Sequence, residues 1–102
     1  MEEFGFKIRH DVTHRNTIAD LIRPDKRCGI YLLRFRNSEY YIGQAIDVVR
    51  RFSQHKQNHD DMVELYFQQT PRTKLNSVEA ELIGKFERKN IPLRNISLTS
   101  IP

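Results

Sequence analysis

The residue that most demands a chemical explanation is Glu79. At about 3.6 residues per turn it shares a helix face with Leu75, Leu82, Ile83 and Phe86, whereas Glu81 falls roughly opposite. An unpaired carboxylate on an apolar stripe is costly. Glu79 must therefore pair with a cation, bind a metal ion, take a raised pKa, or snorkel at the stripe's edge, and the spacing leaves these open. A second pair, Arg51 and His55, stands one helical turn apart, so that a guanidinium fork and an imidazole face the same side. His55 and His59, like His10 and His14, are also spaced as helical metal pairs. No Cys or third ligand stands at zinc-finger or protease spacing, however, and His10, His14 and His59 read as solvent-facing. Cys28 is the single cysteine; it cannot form an internal disulfide, has no evident base partner, and reads as a small buried residue.

The elements that must position these groups follow from periodicity. Residues 29–35 are rich in Ile, Tyr, Leu and Phe, and with 40–43 across Asn37-Ser38 they read as a β-hairpin. Asp47 is placed to cap a helix carrying Val48, Val49 and Phe52 on its apolar side and ending near Asn58. In 62–68, Val63, Leu65 and Phe67 alternate with Met62, Glu64, Tyr66 and Gln68, the period of a half-buried strand. Residues 73–89 give a long helix with Leu75, Val78, Leu82 and Phe86 on one stripe, closed by Asn90 and Pro92. Upstream, Phe4, Phe6 and Ile8 suggest an accessory strand, and 17–23, ended by Pro24, an accessory helix. The expected class is α/β (α+β): a three-stranded antiparallel sheet flanked by helices. Residues 1–27 are expected to pack as an accessory strand and helix on a core at 28–96, with 97–102 a coil tail, all in one domain.

At 102 residues the chain suits one small core. Seventeen Lys and Arg against 13 Asp and Glu give a net charge of +4, which favours an anionic partner such as nucleic acid. No apolar run approaches the ~20 residues that span a bilayer, and the first residues carry two Glu rather than a basic stretch before an apolar core. The composition thus argues against a membrane role and for a cytoplasmic or nucleoid-associated protein.

Gly29-Ile30-Tyr31 followed by Tyr41-Ile42-Gly43 on paired strands resembles the double tripeptide of the GIY-YIG nuclease superfamily. Arg51 stands eight residues beyond Gly43 and His55 four further, as in that family's first catalytic helix. Glu79 precedes Leu82-Ile83 in a Glu-x-x-Leu-Ile pattern, and Pro92 with Asn95 resembles the closing Pro-x-x-Asn. The resemblance covers Gly29 to Asn95. Gln44 stands where excision-repair members often carry Lys, and the segment between Leu82 and Pro92 is longer than theirs.

The resemblance implies an endonuclease that hydrolyses phosphodiester bonds in DNA, leaving 5′-phosphate and 3′-hydroxyl ends. It implies Tyr31 as general base, with its pKa lowered by nearby positive charge, and Glu79 as ligand of one divalent cation, Mg²⁺ or Mn²⁺. Arg51 would fork onto the phosphate; His55 would relay a proton or touch the phosphate; Tyr41 and Asn95 would orient water or phosphate. Arg34, Arg36, Gln44, Arg50, Lys56, Arg72, Lys74 and Lys85 are candidates for the surrounding nucleic-acid surface. Tyr40 and Tyr66 either stack on bases or pack between sheet and helix. A two-residue turn at Asn37-Ser38 would put Tyr31 and Tyr41 on opposite faces; an odd-length loop or bulge, which we expect, would put them on one. The alternative function is a catalytically silent nucleic-acid-binding or adaptor module. So small a surface reads little sequence, so low specificity, a homodimer, or a separate DNA-targeting domain or partner is expected.

Overall fold

The computed structural model describes residues 1–94. Its sheet has four strands, β1 (Arg9–Asp11), β2 (Gly29–Phe35), β3 (Tyr40–Ala45) and β4 (Met62–Gln69), in the order β1-β4-β2-β3 and antiparallel throughout. Two helices complete it, α1 (Val48–Asn58) and α2 (Leu75–Arg88), the latter entered through a 3-10 turn at Arg72–Lys74. Among the described residues, no helix is long and apolar enough to cross a membrane.

The sheet is a middle layer, so both faces of β2 are apolar. On one face Tyr31, Leu33 and Phe35 meet Val48 and Phe52 of α1; on the other Ile30 and Leu32 meet Leu75, Leu82 and Phe86 of α2. This explains why 29–35 is a nearly continuous apolar run: a central strand covered on both sides has no polar face. The Asp47 carboxylate accepts from Val49 N at 3.0 Å and Arg50 N at 3.3 Å, as its capping position predicts.

The N-terminal segment departs from expectation. Phe4 closes a 3-10 turn (Glu2–Phe4), Phe4 and Phe6 are buried against the α2 side, Ile8 is exposed, and the strand begins only at Arg9, as a fourth, edge member of the sheet. No helix forms over 17–23. The Arg27 guanidinium takes the carbonyls of Ala19 (3.3 Å) and Ile22 (3.2 Å), which a helix would need for its own amides. Ile18 and Ile22 still reach the core beside Tyr31 and Leu33.

The β2–β3 loop is Arg36-Asn37-Ser38. Phe35 N donates to Glu39 O and Ser38 N to Phe35 O, both at 2.9 Å, and Ser38 adopts φ 69°. This is the three-residue hairpin whose last residue is left-handed. Its odd length puts Tyr31 opposite Gly43 and Leu33 opposite Tyr41, so both tyrosines lie on one face.

Candidate active site

Tyr31 is 2% exposed, yet its hydroxyl is directed outward along the sheet because its cross-strand partner is glycine. A Cβ at position 43 would fall on the Tyr31 hydroxyl and ring. Since β3 is an edge strand, the Tyr31 side chain crosses β3 at Gly43 toward the open edge of the sheet. Gly29 is required for a different reason: a Cβ there would strike the Gln68 carbonyl of β4. The glycine of each tripeptide is therefore a site of close approach, one for a side chain and one for a backbone.

At that edge the Tyr31 Oη lies 2.7 Å from His55 Nε2. The Tyr41 ring stacks on Tyr31 (6.2 Å between centroids, 13° between planes) and meets His55 edge-on at 4.6 Å. Arg51, one turn before His55 on α1, is exposed and its charge acts on both tyrosines. Glu79 arrives from the opposite side of the sheet on α2, whose start is tied to β3 by Gln44 Nε2 donating to Asn76 Oδ1 at 2.7 Å. Its carboxylate also acts on both tyrosines. Glu79 is half-buried at the border of the apolar stripe and, among the described residues, has no hydrogen-bond or ion-pair partner. Tyr31, Tyr41, Arg51, His55 and Glu79 are thus brought together from four elements. Asn95 lies outside the described residues.

Burial, more than any charge, sets the protonation states. It pushes the Tyr31 hydroxyl up, Tyr41 adding to the effect and Arg51 opposing it. The expected lowering of Tyr31 by positive charge is therefore outweighed, because a nearly inaccessible phenolate loses more hydration than one guanidinium returns. His55 is pushed down to about 4, by burial first and then by His59 and Arg51. Near neutrality both partners are uncharged. Tyr31 can yield its proton only in the tautomer where its O–H donates to Nε2 and the His55 proton sits on Nδ1.

A pH dependence of stability follows. The unfolded chain protonates His55 near 6.5 and the folded one only near 4, so between those values the unfolded state binds more protons. The His55 contribution is complete above about pH 6.5 and is lost as pH falls toward 4. Urea midpoints measured across this window should fall less steeply for His55→Gln than for the natural sequence; parallel curves would refute the assignment.

The basic residues expected around the site do not all lie at the tyrosine edge. Two adjoining clefts, of about 430 Å³ and 440 Å³, share Ala45, Ile46 and Arg51; one adds Gln44, Arg72 and Asn76, the other Arg50 and Gln54. Arg50, Arg72 and Gln44 therefore line clefts that also hold Arg51, and exposed Lys74 directly precedes α2. Lys56 is half-buried on α1. Arg34 is not at the site: its position alternates with Tyr31, it lies on the other face of the sheet, and with Arg9 it holds the buried Glu64 carboxylate. Arg36 sits in the hairpin loop at the far end of β2, and Lys85 pairs with Glu81 at 3.2 Å. Tyr40 packs edge-on to Phe86 and Tyr66 to Phe6, so neither is a free stacking platform.

Two residues were not anticipated. His59 is half-buried and stacked on His55, not solvent-facing, and Arg94 joins it across the end of the sheet. The only sequence signal for Arg94 was its place inside Pro92-x-x-Asn95.

The edge thus gathers paired tyrosines and a histidine on one side of the sheet, an arginine on the first helix, and a lone carboxylate on the second. The model of the GIY-YIG catalytic domain matches residues 27–91, more than half of the chain, and the chain belongs to the GIY-YIG family, whose domains are generally endonucleases. No significant match is found among curated proteins or among solved structures.

The residues also fit a divalent cation. Among the described residues no group of three or more His, Cys, Asp or Glu could hold a metal, so Glu79 would be a single protein ligand. One unpaired, half-buried carboxylate suits Mg²⁺ or Mn²⁺, which keep waters and phosphate oxygens in their shell, and not zinc, which takes three or four protein ligands.

Proposed function

We propose that this chain is a divalent-metal-dependent endonuclease hydrolysing phosphodiester bonds in DNA to leave 5′-phosphate and 3′-hydroxyl ends. The observation that carries this reading is the 2.7 Å contact between Tyr31 Oη and His55 Nε2 beside Arg51 and Glu79. A water attacking phosphorus must lose a proton. Tyr31 takes it as its own proton passes to His55 Nε2, so that no free phenolate is needed and the charge ends on imidazolium. The water oxygen bonds to phosphorus, the P–O3′ bond breaks, and the 3′ oxygen takes a proton from solvent. Arg51 donates two hydrogen bonds to the phosphate oxygens as charge builds on them. Glu79 would hold the divalent cation, which would supply charge neutralisation during the reaction. Arg50, Arg72 and Lys74 track the flanking backbone.

Nicking of supercoiled plasmid tests this. Cleavage is expected with Mg²⁺ or Mn²⁺, is expected to stop with EDTA, and in Glu79→Ala should need more than about tenfold higher Mg²⁺ for an equal rate. Tight DNA binding without cleavage under any metal would favour the silent module instead.

A further inference from the structure

His55 is held by more than its tyrosine. His59 follows it by one turn, its backbone N–H donating to His55 O at 2.9 Å, and their rings stack at 5.8 Å between centroids and 27° between planes. The other side of His59 meets Phe35 of β2 at 5.0 Å. Arg94 then closes the group. Its Nη1 lies 3.2 Å from His59 Nδ1, its guanidinium lies 3.5 Å over the Phe35 ring, and it pairs with both Asp61 oxygens (3.1 and 2.6 Å) and with Glu39 (2.9 Å). A guanidinium can only donate, so His59 Nδ1 must accept, and any ring proton of the neutral His59 is on Nε2.

We infer that His59 and Arg94 are positioning residues for the Tyr31–His55 pair: Arg94 fixes the ring of His59, and His59 fixes and shields the ring of His55. The inference rests on the reading of that pair as the proton acceptor. Its force comes from where the parts originate. Tyr31 and Tyr41 reach His55 from the sheet, whereas His59 stacks on it from the helix end, and Arg94 ties that end to the β2–β3 hairpin and to the segment after α2. The charged and titratable groups facing His59 are Arg94, Asp61, Asp60 and His55; those facing His55 are Tyr31, Tyr41, Arg51 and His59. Without the His59 ring, water reaches His55, which then protonates more readily and no longer accepts from Tyr31.

The test uses the full chain and two readouts. In imidazole NMR titrations, which need no cleavage, His55 of the natural sequence should stay neutral down to about 4. In His59→Ala its titration should move up toward the ordinary 6.5, and in Arg94→Gln in the same direction. His59→Phe, which keeps the covering ring but neither the acceptor for Arg94 nor the charge, should restore part of the natural behaviour and shift less than His59→Ala. In nicking assays His59→Ala should lower kcat about tenfold, most strongly at acid pH, with KM within about twofold, and His59→Phe should recover part of it. Loss of the His59 charge alone would move His55 equally in His59→Ala and His59→Phe, whereas shielding by the ring requires the larger shift in His59→Ala. The inference is overturned if His55 titrates alike in all three variants and the natural sequence. His55→Gln separates the two levels: if it cleaves normally, the proton-acceptor reading fails, whereas if it is inactive while the His59 variants behave like the natural sequence, only the positioning role fails.

Discussion

Tyr31→Phe is expected to lower the kcat of plasmid nicking by about 10²–10⁴-fold, or roughly 3–5 kcal/mol on the barrier, while leaving DNA affinity within a few-fold. The substitution removes one oxygen. The ring keeps its stack on Tyr41 and its place among Leu33, Val48 and Phe52, so circular dichroism should be unchanged. What is lost is, among the described residues, the only group that hydrogen-bonds His55 Nε2, and with it the proposed path from the attacking water to the imidazole. The phosphate contacts proposed for Arg51 and Arg72 would remain, which is why the effect should fall on kcat and not on KM. A variant retaining more than about a tenth of the natural kcat would show that Tyr31 is not the base.

Gly43→Ala should be at least as damaging to activity, and unlike Tyr31→Phe it should also destabilise. The new methyl would occupy the space of the Tyr31 hydroxyl, Cζ and Cε1, a rigid ring packed in the core. Relief requires the ring to swing away, breaking the contact to His55 and the parallel stack with Tyr41, at an overpacking cost of about 1–3 kcal/mol. The double variant separates the two effects. In a Tyr31→Phe background the activity cost of Gly43→Ala should vanish, since the hydroxyl is already gone. The stability cost should persist, because the ring carbons still obstruct the methyl. Plasmid nicking with urea unfolding of the four proteins measures both. Additive losses in kcat would mean that Gly43 acts on the site other than through Tyr31.

Which parts of this site could be read from the sequence depended on how local their causes were. The stripe that turns Glu79 toward the sheet spans a single helix, and the Asp47 cap lies within three residues of the amides it serves. That Arg34 could not share a face with Tyr31 was also legible, because three residues along a strand reverse the side-chain direction. The hairpin was harder. Its odd loop depends on a left-handed Ser38, a position where glycine or asparagine would have been the signal. The accessory helix over 17–23 failed on a competition invisible in its own residues, since Arg27 claims its carbonyls.

By itself, then, the sequence determined the class of fold, the family, and the set of residues that can meet at one edge: periodicity, caps and tripeptide spacing are settled by backbone geometry within a few residues. Tertiary structure alone decided how those residues are charged and held. Whether Tyr31 feels Arg51 or its own burial more strongly depends on how completely α1, β3 and the N-terminal segment exclude water from it. The clasp of Arg94 on His59, Asp61 and Glu39 spans separations of 35, 33 and 55 residues. No pattern along a chain encodes such contacts, because they exist only once packing has brought distant segments together and removed the solvent that would otherwise satisfy each group separately.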